Sequence, residues 1–421
     1  MKSMRWWGLF ACALVPMIAC AESDENAVDV TPPPVEDHDG GRTEQAAPDA
    51  SADVAAPSDG EAPSSCTSDG FCRTSLPEHR VLRGVWGDGN GVVWAVGFEA
   101  LGSDPSGLPE SVQGNVLRWD GAAWSVVFTT PGALYAVWGS SPTDLWIGGE
   151  DGLFHGEGPS SAAITWTASP QNDGVIPVRS IWGSGPRDVW AVGSHADYDV
   201  WPFVYRSRVL HYSGPSTNPE QAWSLDPVSD RDYLFDNVWG TRQGEVWIGG
   251  DQWETYPFPP ALVLHKPQGG DAGGGDAGGG DGWTAVALAP DSDDDVVYGI
   301  TGGTVLGDDL CVLGWLALSQ SGSVWTGKSD GNGQSTWKGD TSSRLPFFHF
   351  AAWGTSTDDF YVAGQYGRLR HFHGARWEYP RISVDGLPIT NDFYSMWGLA
   401  GEDLWLVGDN VAIRKQLRSF K

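Results

Sequence analysis

Basic residues are scarce in this chain of 421 residues: Lys and Arg total 25 against 54 Asp and Glu, for a net charge of −29. A surface this acidic repels phosphate backbones and anionic lipid headgroups, which excludes nucleic acid and an electrostatically held membrane surface as partners. Long apolar runs are missing too. The most apolar, Trp6–Ile18, is too short to span a bilayer. No later stretch sustains a helical period, so a helix bundle or an α/β fold is excluded. The five Cys do not have the Cys/His spacing of a structural zinc site. Neither a G-x-S-x-G elbow nor an H-E-x-x-H helix occurs, which removes two common hydrolase arrangements.

Trp, by contrast, is abundant, with 24 copies. A hydrophobic run ending in Trp-Gly, then a turn, an acidic residue and a second aromatic, recurs with a spacing of eight. The pairs are Trp86/Trp94, Trp138/Trp146, Trp182/Trp190, Trp239/Trp247, Trp353/Tyr361 and Trp397/Trp405. A degenerate copy fills the double gap after Trp239. There Tyr298–Gly302 aligns with Ser180–Gly183, and Thr301 and Cys311 stand where the two Trp should be, with two extra residues in the turn. Seven units at 44–62 residue spacing, each reading as four strands, predict an all-β fold: a single seven-bladed β-propeller over residues 66–421. Trp124, Trp166, Trp223, Trp283, Trp337 and Trp377 fall on the fourth strands. Blades pack about 10 Å apart, and large flat rings fill that wedge, so these Trp are core residues rather than ligand platforms. The acidic residue opening each second strand (Asp144, Asp188, Glu245, Asp309, Asp359, Asp403) reads as a turn acceptor for backbone N–H groups. The seventh unit lacks a fourth strand, and the repeat spacing places Phe71–Leu76 there, closing the ring from the N-terminal side.

Residues 1–19 read as a secretory signal: Lys2 and Arg5 precede the short apolar run. Its end, Met17-Ile18-Ala19-Cys20, resembles the lipobox of bacterial lipoproteins. The resemblance implies cleavage before Cys20 and lipidation (palmitate) of its thiol. Ala21, rather than Asp, implies an outer-membrane address, at the cell surface or facing the periplasm. Plain secretion is the alternative. Residues 20–65 hold twelve acidic residues and one basic, Arg42, with few large apolar side chains. Such a segment cannot bury enough surface to order itself, and reads as a disordered acidic stalk. In an exported chain Cys66 and Cys72 are expected to pair, at the predicted seam of the ring. Cys311, at a core position, reads as a buried free thiol.

Several motifs look like chemistry and are better explained by the repeat. Gly322–Ser329 matches GxxxxGK[ST], but it falls on a third strand with no helix after it, so no phosphate loop can form. His155, His211, His265 and His371 recur on third strands. Equivalent positions in adjacent blades lie about 10 Å apart, too far to share one ion, so they read as a structural polar position. Gly269–Gly282 resembles Gly/Asp calcium repeats but lacks their hydrophobic residue, and reads as a flexible loop. Asp88-Gly-Asn-Gly and Asp330-Gly-Asn-Gly read as turns, with structural calcium the lesser reading. No metal ligand set and no cofactor site follows from the sequence.

The departures from the repeat are two insertions between second and third strands. Blade three inserts Tyr198–Tyr205, with Trp201, Phe203 and Tyr205, and blade four inserts Trp253–Pro260, with Trp253, Tyr256 and Phe258. They share a face with the connections that carry Asp230, Asp232 and Asp293–Asp295. Aromatics beside acids on one rim suit a binding surface for glycan or protein. Equally, they could pack on each other as a cap. The blades resemble those of bacterial sensor propellers and kelch repeats. Together with the lipobox and the stalk, they resemble bacterial surface lipoproteins built of Trp-Gly propeller repeats. That resemblance implies a fold and an address but transfers no catalytic residue. The function expected is a monomeric cell-envelope binding, adhesion or scaffold module for a glycan or an envelope or extracellular protein, touching the membrane only through its lipid. The alternative is a polysaccharide lyase or glycosidase-like enzyme with paired carboxylates at the axis, drawn from Asp230, Asp232 and Asp293–Asp295.

Overall fold

The computed structural model describes residues 66–421, apart from 105–108, 171–175, 198–203, 219–221, 253–259, 269–280, 289–295, 330–334, 385–386, 400–402 and 417–421. The predicted signal, Cys20 and the stalk lie outside the described residues. The described chain forms seven four-stranded antiparallel sheets. Blade one is Val81–Gly87, Val93–Leu101, Ser111–Trp119 and Trp124–Thr130, and blade two is Leu134–Ser141, Asp144–Gly149, Gly152–Glu157 and Thr165–Ser169. Blades three to six begin with Ser180–Gly185, Leu234–Gly240, Val297–Leu306 and His349–Ser356, and blade seven with Phe393–Gly398. The first strand of every blade packs on the first strand of the next, and that of blade seven packs on that of blade one, so the ring is closed around an axis. Among the described residues no helix is long and apolar enough to cross a membrane.

The middle of each second strand is an apolar run because a blade covers each of its faces. Val246–Gly250 is buried at every residue, as is Leu404–Gly408. The paired aromatics face each other across the first two strands, as Trp86 and Trp94, Trp138 and Trp146, and Trp397 and Trp405 do. The second-strand Trp then receives, edge-on, the outer-strand Trp of the following blade. Ring centroids are 6.2 Å apart for Trp94–Trp166, 5.0 Å for Trp146–Trp223, 5.7 Å for Trp190–Trp283 and 5.4 Å for Trp405–Trp124. This is the wedge filling expected of them.

The Trp-Gly step has its own reason. The first Trp of each motif lies over the Gly of the next blade: Trp86 over Gly139, Trp138 over Gly183, Trp182 over Gly240, Trp353 over Gly398, and Trp397 over Gly87. A Cβ on Gly87 would sit 2.5 Å from Trp397 Cζ3, closer than any carbon pair tolerates. Gly87→Ala is therefore expected to lower stability by about 1–3 kcal/mol through overpacking, read as a lower urea midpoint at unchanged slope. Blade five corrects one alignment. Thr304, not Thr301, faces Cys311, because Thr301 is absorbed by a bulge between Ile300 and Gly302. The extra residues lie within the strand rather than in the turn. Having no Trp there, blade five leaves Gly354 of blade six without the covering ring.

Ring closure follows the sequence expectation, with a shorter strand. Phe71–Arg73 pairs with Val411–Gln416, Phe71 opposite Lys415 and Arg73 opposite Ile413. Thr74 continues the contact through its N–H to the Ala412 carbonyl, and its hydroxyl accepts from Trp124 Nε1 of blade one at 2.9 Å. Cys66 and Cys72 form a disulfide. Both cysteines belong to the closing segment, so the bond stiffens that segment rather than tying it to blade seven. Cys311 is a free thiol, fully buried, and burial pushes it up to about 12. It therefore stays protonated and unreactive.

One apolar position of the repeat is polar in blade six. The residue four before the first Trp is buried in every Trp-bearing blade, as Leu82, Leu134, Val178, Phe235 and Phe393, but in blade six it is His349, 2 % exposed. Neither ring nitrogen meets a well-formed hydrogen-bond partner among the described residues. Burial, helped by the Arg370 guanidinium, pushes its pKa down to about 4. The folded state thus holds His349 neutral while the unfolded chain protonates it below about 6.5. Its contribution is complete above pH 6.5 and is lost as pH falls toward 4, about 2–3 kcal/mol by pH 4.5. His349→Leu, the residue of blades one and two, is expected to remove that share of the acid loss in urea titrations at pH 7 and pH 4.5.

Candidate functional site

Of the residues singled out above, Trp201, Phe203, Trp253, Tyr256, Phe258 and Asp293–Asp295 lie outside the described residues. Tyr205 stands near the start of the third strand of blade three, opposite Ala196. Asp230 ends a short 3-10 turn, Pro227–Asp230, and is exposed, as is Asp232. Between them Arg231 reaches away to Asp281, its Nε 3.0 Å from Oδ2, and so pins this connection to the outer part of blade four. Asp88-Gly-Asn-Gly is a turn closed on the Asp88 carboxylate, which accepts the Asn90 N–H at 2.7 Å, whereas the Asp330 segment is outside the described residues.

The structure gathers a different set. In five blades the residue three before the first Trp is left unpaired by a β-bulge: Arg83, Tyr135, Asp236, Phe350 and Tyr394. Of the two bulge residues of blade five, Tyr298 and Thr301, Tyr298 stands nearer the start of the first strand, and in blade three Arg179 stands just ahead of the first strand. A bulge turns its side chain out of the pleat. All seven are half-buried, while the residue before each is buried. They occur at the start of the innermost strands, so they ring the axial mouth on the face of the blade connections. Arg83 of blade one feels Tyr135 of blade two, Arg179 of blade three and Tyr394 of blade seven at once, which is possible only at the axis.

The ring is divided in chemistry. On one arc, guanidiniums lie over aromatic rings: Arg83 is 4.0 Å from the Tyr394 centroid and Arg179 is 4.2 Å from that of Tyr135. Phe350 continues the arc at 5.5 Å from Tyr394. Tyr135 donates to Glu150 at 2.7 Å, and burial pushes its hydroxyl up to about 12. Burial also lowers the pKa of Arg83, whose Nε–H has no acceptor among the described residues. On the adjoining arc, next to Arg179, are two carboxylates of blade four, Asp236 and Asp251. Burial raises both. Asp236 also accepts from Ser194 Oγ at 2.6 Å, and Asp251, beside it, is pushed up to about 7. A carboxyl so placed changes charge near neutral pH. The repeat contained the signal for this ring: the position three before Trp-Gly reads Arg, Tyr, Arg, Asp, Phe, Tyr, charged or aromatic every time.

A second recurring constellation lies at the other end of the blades. His155, His211, His265 and His371 each stack on the second-strand aromatic, 4.0–4.4 Å between centroids. Nε2 of His155, His211 and His371 meets Asp144, Asp188 and Asp359 at 2.6, 2.8 and 2.6 Å. Arg414 reaches Asp403 in the same way. The acidic residues thus accept from imidazole, guanidinium and, in blades two and three, from the hydroxyls of Ser140 and Ser184. The backbone donors expected of the preceding turn are replaced by these side chains because the third strand brings them within reach.

No family model matches this chain, and no curated protein matches it. Solved structures do. YCF48 bound to a D1 peptide is 12% identical with a TM-score of 0.55, covering 84% of this chain and 97% of that one. The extracellular domain of the putative one component system BT4673 from B. thetaiotaomicron is 11% identical with a TM-score of 0.55, covering 83% of this chain, which spans only 40% of that one. The WD40 repeats of RRP9 are 10% identical with a TM-score of 0.50, covering 85% of this chain and 99% of that one. At such identities the likeness is one of architecture, and this chain is a seven-bladed β-propeller.

Proposed function

We propose that this chain is a binding module that takes a peptide or protein segment into the axial mouth on its connection face. The observation that carries the reading is the ring of six bulge residues and Arg179, cationic and aromatic on one arc, acidic on the other. Arg83 and Arg179 are preorganised by the rings beneath them and suit a carboxylate of the incoming segment. Asp236 and Asp251 suit a basic group next to it. A glycan is less well served, because Arg83 and Arg179 already cover the faces of Tyr394 and Tyr135 on which a sugar would stack. YCF48, a propeller of the same architecture, is seen with a peptide bound. The resemblance of Met17–Cys20 to a lipobox and the acidic composition of residues 20–65 support an envelope location for the module, with a lipid on Cys20 as its anchor.

The test is selection from a displayed random peptide library on the full chain, with bound peptides located by photo-crosslinking. Crosslinks to Tyr135, Tyr298 or Tyr394 are the expected outcome. Peptides that crosslink only to the rim segments at 198–205 and 253–259 would move the site to the inserted loops. One observation favours a second reading, an enzyme: Asp236 and Asp251 are paired carboxylates of raised pKa at the axis. Polysaccharide turnover abolished by Asp251→Asn would establish it.

A further inference from the structure

We propose that blade six carries a site for a transition-metal ion of the Zn²⁺ class, formed by Asp359, His371 and His373. The sheet register builds it. Asp359 opens the second strand of the blade (Asp359–Gly364) and lies directly opposite His373 on the third (Leu369–His373), while His371 lies opposite Tyr361. Residues two apart share a face of a strand, so all three side chains project from the same side of this ribbon. Asp359 Oδ1 is 2.6 Å from His371 Nε2 and 3.7 Å from His373 Nδ1, and the three potential ligand atoms all lie within 4.8 Å of one another. An ion bound at about 2.0–2.2 Å from each ligand needs these atoms roughly 3–4 Å apart, which small side-chain rotations supply.

The site departs from the repeat in its ligand types: blade two brings Asp144, His155 and Glu157 together in the same way, but with one imidazole and two carboxylates. Each of blades two, three and four has one His on its third strand opposite the second-strand aromatic, but two residues further on they carry Glu157, Ser213 and Pro267. Only blade six adds a second imidazole there, and nothing in the packing calls for it, since the His373 side chain is 61 % exposed. His371 is held by its stack on Tyr361, 4.0 Å and 5° from parallel. Two imidazoles and one carboxylate favour Zn²⁺, Ni²⁺ or Cu²⁺ over Ca²⁺, which requires more oxygen ligands. Exposure of His373 and of Asp359, 46 %, leaves the remaining coordination positions to solvent. The surroundings are mixed in charge. Asp69 and Glu378 act on Tyr361 together with Asp359, and Lys415 lies against the same ring with its Nζ bonded to the Tyr361 hydroxyl. Tyr361 also packs on Phe71 of the closing strand, so an ion here stiffens the blade on which the seam rests.

The test is Zn²⁺ titration by calorimetry of the full chain after chelator treatment, with Co²⁺ absorption spectra as a direct readout of ligation. Wild type, His373→Gln, Asp359→Asn and the blade-two variant Glu157→Gln are compared. One Zn²⁺ equivalent weakened at least 10-fold in both blade-six variants and unchanged in Glu157→Gln is the expected result. A Zn²⁺-dependent rise in Tm is expected in wild type and lost in His373→Gln. His373 is exposed, so its variant folds. Equal stoichiometry and affinity in wild type and His373→Gln, or no Zn²⁺ taken up by wild type, would overturn the proposal.

Discussion

Phe71→Ala is expected to cost about 3–5 kcal/mol, the range for emptying a buried aromatic position. Phe71 is 1 % exposed and packs with Leu369, Phe393, Leu404, Leu406 and Ile413, with Tyr361 edge-on at 6.4 Å. Lys415 Nζ lies 4.5 Å from its ring centroid. The closing strand is short and has few other anchors, chiefly its backbone pairs and Thr74. Removing the ring should therefore release the strand as a unit and expose the edge of Val411–Gln416. An unpaired edge is a template for a second chain, so light scattering should show association along with the lowered urea midpoint. Phe71→Leu, which keeps most of the volume, should lose far less. Replacing Cys66 and Cys72 by Ser should cost about 2 kcal/mol, as expected for so small a loop, without opening the ring. A Phe71→Ala protein that stays monomeric with an unchanged midpoint would show that closure does not depend on this strand.

Arg83→Gln with Arg179→Gln is expected to weaken a selected axial peptide about 100-fold, roughly 3 kcal/mol, the scale for truncating a desolvated charge partner. Gln keeps a polar group at each position, so the fold should survive, as circular dichroism would show. Each single variant should fall between, and raising the salt should narrow the gap to wild type only slightly, because half-buried charges are screened little. Asp251→Asn should act differently. Asp251, pushed up to about 7 by burial and by Asp236, loses its charge as pH falls through neutrality. Binding of a basic side chain should therefore weaken from pH 8 to pH 6 in wild type and be flat in Asp251→Asn. Peptide affinity indifferent to the two Arg changes would remove the axial arc from the site.

The architecture was readable because a propeller is written as a repeat. Trp-Gly, the turn and the second aromatic recur at a spacing set by the cross-strand pairing of Trp86 with Trp94 and its five counterparts. A missing fourth strand after Ile413 pointed to Phe71, since a ring must use every edge. Blade five was harder. With Trp replaced by Thr and Cys, nothing in the local sequence told Thr301 from Thr304, and only the register with Cys311 separates them. The axial ring was in plain view three residues before each Trp, yet it looks like ordinary variation along the chain. Arg83, Tyr135, Arg179 and Asp236 are scattered over 154 residues and become one site only when seven strands meet at an axis. The same holds for Asp359 and His373, which antiparallel pairing places face to face. A repeat dictates local pairing, and hence the blade. Which side chains from different blades share a volume, and how their charges then shift one another, depends on closing the ring.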